Sequence, residues 1–214
     1  MTVILINPNS TEAMTQSALE TARATSPRIK FEGWTSTLGP AAIEGPEDGA
    51  RAVPPLLDLV RRASIDGVDA IIIACFDDTG LSEAQHIARC PVIGIGQASY
   101  LMAKLLSGPT AVVTTVQVAV PVIKANIEAQ GAAGQIDHIK AAHVPVLKLA
   151  NDPSAALDRF RSAISELPAG TRNVILGCSG AVGIVGPLQD ELNLNVLDGV
   201  TAAARLVRAL VQEP

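Results

Sequence analysis

Cys75 and Cys178 each close an apolar run and open a polar, glycine-containing segment, CFDDTG in the first case and CSGAVG in the second. If those runs are parallel strands, both thiols stand at strand carboxyl ends, where open α/β sheets bind ligands. Where a helix follows, its first free N–H groups favour an anion, and the expected effect is to draw a thiol down from its usual value of about 8.5 toward neutrality. Two such thiols suit one kind of chemistry. Inverting a stereocentre takes a proton from one face of a carbon and returns one to the other, which a single base cannot easily do. A thiolate and a thiol on opposite sides of a flat carbanion can, provided the carbon is already fairly acidic. The third cysteine, Cys90, stands before Pro91 at a strand entrance and reads as a small buried hydrophobe.

Two polar segments accompany the cysteines. Asn7-Pro8-Asn9-Ser10-Thr11 follows the first apolar run, and Thr114-Thr115 follows a later one. The carboxamide of Asn9, the hydroxyls of Ser10, Thr114 and Thr115, and nearby backbone N–H groups could all serve a carbonyl or carboxylate. Ser10 or Thr11 also reads as the cap of the helix that follows. Asp77 or Asp78 reads the same way for the helix after Cys75, and a carboxylate so close to a thiol would raise its pKa. The histidines, His86, His138 and His143, show no ligand spacing, so no metal is expected. GIGQAS after Val92 is too short to count as a dinucleotide fingerprint, and there is no Walker sequence. The expected substrate is a small molecule handled without a cofactor.

The elements that must hold these residues alternate. Strands are expected at Val3–Ile6, Phe31–Trp34, Asp69–Ala74, Val92–Ile95, Thr110–Val113, Ile139–Pro145, Asn173–Gly177 and Asn195–Leu197. Helices are expected from Ser10 to about Ala24, and over Ala50–Ala63, Gly80–Ala88, Ser99–Leu106, Pro121–Gln130, Pro153–Leu167, Gly186–Leu192 and Val200–Val211, with a break or start demanded near Pro54-Pro55. Strand–helix alternation means parallel βαβ units. Three pairs, Cys75 with Cys178, Gly96 with Gly199 and Thr11 with Thr114, are each 103 positions apart, which suggests one half used twice. The expected fold is α/β: two pseudo-symmetric lobes, each a short parallel sheet flanked by helices, with a cleft between them. Residues 1–98 would form the first lobe and 99–199 the second, the C-terminal segment 200–214 packing back on the first.

Composition narrows the function. Only five residues are aromatic against 48% hydrophobic overall, so the core must be aliphatic, as in buried parallel sheets. The net charge is −5 with Lys and Arg scattered, which argues against nucleic acid. No stretch reaches the roughly 18 apolar residues of a membrane span, and the N-terminus lacks the basic region of a secretory signal. The cytoplasm is the default address.

The set INPNST, GPAAIEG (Gly39–Gly45), CFDDTG, VVTT and LGCSG, running from residue 6 to residue 180, resembles the aspartate/glutamate racemase superfamily, and within it the hydantoin racemase branch. The resemblance implies two pseudo-symmetric lobes, no cofactor, a catalytic cysteine from each lobe, and a homo-oligomer. It also implies that Asn9, Ile43, Phe76, Thr115, Ser179 and Gly180 lie near the substrate. Two departures stand out: the branch often has a small residue and then Asp-Pro-Gly after Cys-Phe, where this chain has Asp77-Asp78-Thr79-Gly80, and a Glu common after the GIG turn is Gln97 here. Decarboxylases of the superfamily resemble the chain at Cys178 but lack the first thiol, so Cys75 argues against them. The readings left open are a racemase of 5-substituted hydantoins, with allantoin a plausible member of that class; an amino-acid racemase or maleate isomerase-like enzyme; and a non-catalytic small-ligand binder.

Overall fold

The computed structural model describes residues 1–211 of the 214-residue chain; the end of the expected C-terminal segment, 212–214, lies outside the described residues. In chain order the elements are β1 (Thr2–Asn7), α1 (Glu12–Thr25), β2 (Lys30–Thr35), α2 (Pro46–Ile65), β3 (Ala70–Ile73), α3 (Leu81–Ile87), β4 (Val92–Gly94) and α4 (Ile95–Ala103). They continue with β5 (Thr110–Thr114), α5 (Val120–Ala129), β6 (Ile136–Ala141), α6 (Val146–Asn151), α7 (Pro153–Ser165), β7 (Asn173–Gly177), α8 (Val185–Glu191), β8 (Asn195–Asp198) and α9 (Gly199–Leu210), with a 3-10 segment over Ser179–Ile184. Two four-stranded sheets result, ordered β2-β1-β3-β4 and β6-β5-β7-β8, every pair parallel. The identical order makes the two lobes pseudo-symmetric.

Alternation along the strands explains the layers. Val3 and Leu5 of β1 face a core shared with α1, α4, α9 and the second sheet, whereas Ile4 and Ile6 face α2 and α3. In the second sheet Val112 and Ile175 join the shared core, while Val113, Val174 and Leu176 face the layer of α6, α7 and α8. Burial on both faces is why these strands read as unbroken apolar runs. Helix α9 packs on α4 and α1, and the Ser26 hydroxyl donates to the Ala204 carbonyl at 2.7 Å. Among the described residues no helix is long and apolar enough to cross a membrane.

Several expectations are corrected. Helix α2 runs unbroken from Pro46 through Pro54 and Pro55. The carbonyls those prolines leave without intrahelical partners, on Ala50 and Arg51, belong to exposed residues, where water can serve them. Helix α4 starts at Ile95, not Ser99. Strand β6 is Ile136–Ala141, and α6 occupies chain that read as loop. Strand register also revises the repeat. Ile6 pairs with Ile73 and Ile73 with Gly94, while Thr114 pairs with Gly177 and Leu176 with Asp198. Cys75 and Cys178 therefore occupy equivalent positions. Thr114, however, corresponds to Asn7 rather than Thr11, and Gly199 to Ile95 rather than Gly96. Loop and strand lengths differ between the halves, so a constant offset survives only at the cysteines.

Candidate active site

The carboxyl ends of β1, β3, β5 and β7 converge on one narrow cavity. Both cysteines line it, together with Asn9, Ile43, Phe76, Asp77, Thr114, Thr115 and Ser179; Met14, Ala74, Ala119, Val146 and Gly177 complete the wall. Of the residues singled out from sequence, Ser10 and Gly180 are not on the wall. Ser10 instead donates its backbone N–H to the Pro40 carbonyl at 2.9 Å. Gly180 acts one step removed, its backbone N–H facing the Cys178 sulfur. Met14, Ala119 and Val146 were missed because an apolar wall residue carries no chemical signal in sequence. Cys90 is half-buried against the α2–α3 layer, away from the cavity. All three cysteines are free thiols.

Local hydrogen bonds fix each polar segment. Asn7, buried at the end of β1, donates its amide to the Asn9 Oδ1 at 2.9 Å and the Thr15 hydroxyl at 3.1 Å. Asn9 Oδ1 also accepts the Thr11 N–H at 2.9 Å. The Asn9 amide meets only the Met14 thioether at 3.5 Å, a weak acceptor, so its protons remain available to a ligand. Thr11 stands at the N-cap of α1 but its hydroxyl does not cap; it donates to the Ala41 carbonyl at 2.7 Å and so ties down the 39–45 loop that carries Ile43. Thr114 donates to the Gly177 carbonyl at 2.9 Å. The Thr115 and Ser179 hydroxyls line the wall and have no hydrogen-bond partner among the described residues.

The acidic pair after Cys75 does not cap α3, whose N-cap is Gly80. Asp78, at φ 47°, turns its carboxylate to α4 instead. Its Oδ1 accepts the Gly96 N–H at 3.0 Å and its Oδ2 the Gln130 amide at 2.9 Å. The glycines of GIG permit this approach, for a Cβ on Gly94 would sit 2.0 Å from Asp78 Oδ1, and one on Gly96 2.4 Å from the Phe76 carbonyl oxygen. Asp77 points its carboxylate at no donor: it accepts no hydrogen bond and pairs with no cation among the described residues.

Electrostatics reverse the expected direction at both thiols. Burial pushes Cys75 well up, and the Asp77 carboxylate adds to it; the Thr79 hydroxyl, 3.4 Å from the sulfur, only partly opposes them. Burial pushes Cys178 up to about 12 against the backbone N–H groups of Gly180 and Ala181, while Asp77 and Glu44 raise it further. Desolvation outweighs a 3-10 segment's few N–H groups. Asp77 is itself pushed up to about 7 by burial, as is Asp78. Among the described residues no group of three His, Cys, Asp or Glu side chains could hold a metal ion.

Comparison with known proteins adds three findings. The Asp/Glu/Hydantoin racemase family matches residues 3–207. A hydantoin racemase of Rhizobium meliloti is 39% identical over 216 residues, covering 99% of this chain and 89% of that protein. Among solved structures, an allantoin racemase from Klebsiella pneumoniae superposes with a TM-score of 0.92 at 32% identity, covering 98% of this chain and 87% of that one. One from Pseudomonas fluorescens gives 0.91 at 30% identity, covering 98% and 90%.

Proposed function

The chain belongs to the Asp/Glu/Hydantoin racemase family, and from that premise we propose that it racemises 5-substituted hydantoins, allantoin among them, with Cys75 and Cys178 as its acid–base pair. The observation that carries the reading is the placement of both thiols at equivalent strand ends on one cavity wall. The C5 hydrogen of a hydantoin lies beside a carbonyl and a ring nitrogen, so its loss gives an enolate. One cysteine, as thiolate, removes that proton; the other, as thiol, delivers a proton to the opposite face. The Asn9 amide and the Thr115 and Ser179 hydroxyls are the donors positioned to meet the developing oxyanion. Each thiolate has donors to hold it: the Gly180 and Ala181 N–H groups at Cys178, and the Thr79 hydroxyl with the Asp77 N–H at Cys75.

The wall also bears on the amino-acid alternative. Among the described residues it carries Asp77 but no Lys, Arg or His, an environment better matched to a neutral ring than to an amino acid with two carboxylates. The test is a panel of single enantiomers, comprising hydantoins, allantoin, aspartate and glutamate, followed by loss of optical rotation. Decay for hydantoins alone supports the reading. Decay for aspartate or glutamate alone assigns the enzyme to amino acids, and none for any substrate leaves a binder.

A further inference from the structure

Among the described residues Asp77 is the one charged side chain on the cavity wall, and neither the fold nor the proton transfer accounts for it. It caps no helix, and its carboxylate has no partner. The titratable groups its charge acts on are all acids: Cys75 and Cys178, both raised by it, Asp78, and the Tyr100 phenol, whose own ionisation it also opposes. The position is rigid nonetheless. The Asp77 carbonyl accepts the Asn126 amide at 2.6 Å, and the next residue is pinned on α4. The side chain is half-buried at the cavity wall, so water hydrates it in the free protein, and a donor on a ligand would take that water's place as the cavity fills. It shares one cavity wall with both sulfurs, which puts it beside the point where the substrate's stereocentre must lie. The part of the substrate it meets is therefore a group attached to that carbon.

We infer that Asp77 is a specificity residue: its carboxylate accepts an N–H donor on the C5 substituent, such as a ureido group, and disfavours an apolar substituent of the same shape. The inference rests on the hydantoin reading above and narrows it to donor-bearing substrates. It also fits the departure seen in sequence, a carboxylate where the branch often has a small residue.

The test compares allantoin with 5-isobutylhydantoin, because the ureido and isobutyl groups branch alike and differ chiefly in polarity. Initial racemisation rates of single enantiomers, corrected for the uncatalysed rate, are measured for the wild type, Asp77→Ser and Asp77→Asn. Any effect of the substitution on the thiols is common to both substrates and cancels in the ratio of their kcat/KM values. Wild type should favour allantoin, and Asp77→Ser should lower that preference about ten- to hundredfold, the worth of one charge-assisted hydrogen bond, chiefly through KM. Asp77→Asn should fall between, since its amide oxygen still accepts without the charge. A wild-type preference for the isobutyl compound, or a ratio unchanged by Asp77→Ser, would overturn the inference and leave the hydantoin reading standing. A wild type inactive on both, and on every hydantoin of the panel, would overturn the two together.

Discussion

The Asn126 side-chain amide, on α5 beside the second sheet, donates to the carbonyl of Asp77 in the loop after the first sheet's β3, at 2.6 Å. One helical turn further along, Gln130 takes the Asp78 carboxylate at 2.9 Å. The grip is reciprocal: Glu44, from the loop before α2, accepts the Val146 N–H at 2.7 Å where α6 begins, and Val146 lines the cavity. Each lobe's cavity loop is thus held by the other lobe, so the spacing of the two thiols depends on how the lobes meet.

That arrangement predicts the effect of loosening α5. Gln130→Leu leaves Asp78 with one donor fewer in a buried site, which should cost about 1–3 kcal/mol of stability. Because Asp78 anchors the Cys75 loop, kcat should fall about tenfold, the order expected when a reacting group loses its alignment. Urea unfolding and steady-state kinetics on the same preparation check both. Full turnover in a destabilised variant would show that the loop holds Cys75 without α5.

Acidity at the thiols predicts the pH profile. A thiolate is the active base, and burial with Asp77 pushes both cysteines up, Cys178 to about 12. Below that value the thiolate fraction grows about tenfold per pH unit. The kcat/KM should therefore climb with pH from below neutrality toward 9, less steeply near 7 where Asp77 takes up its own charge. Asp77→Asn removes a charge that disfavours both thiolates, so the part of the rise above about pH 7, where Asp77 is ionised, should move to lower pH. A wild-type plateau near pH 7 would show that the thiols ionise far more easily than their surroundings imply.

Close approach at the start of α4 predicts a glycine requirement. Gly96→Ala would place a methyl 2.4 Å from the Phe76 carbonyl oxygen and 2.8 Å from Asp78 Oδ2, neither of which can swing aside. The expected loss is about 1–3 kcal/mol, read from urea midpoints. Gly186→Ala, whose Cβ meets nothing within 4 Å, is the control and should be neutral or slightly stabilising.

Much of this was legible in the sequence because the strands announce themselves. The runs 3–6, 70–74 and 174–177 are apolar on both faces; the first stops at Asn7, which braces the cavity's Asn9, and the other two stop at Cys75 and Cys178. The repeat was legible at Cys75 and Cys178 for the same reason, since both follow such runs directly. Other features depend on partners far along the chain. Asp78 binds Gly96 and Gln130, which lie 18 and 52 positions away, so its local reading as a cap for α3 could only fail. Pro54 and Pro55 look like helix breakers until the exposure of Ala50 and Arg51 is known. The thiols' acidity was misread because the deciding factor, burial between two lobes, is not a property of either local segment.

The central claim is one thiol for each face of the substrate carbon, and hydrogen exchange without inversion tests it most directly. Each enantiomer of a substrate hydantoin is incubated in deuterated water with Cys75→Ser, Cys178→Ser or Cys90→Ser, and its C5 hydrogen is followed by proton NMR alongside optical rotation. Cys90→Ser should racemise like the wild type. The other two should racemise nothing, because a hydroxyl is too weak an acid for this transfer, yet each should exchange the C5 hydrogen of one enantiomer, a different one in each variant. Exchange of the same enantiomer by both variants, or continued racemisation by either, would contradict the assignment of one cysteine to each face.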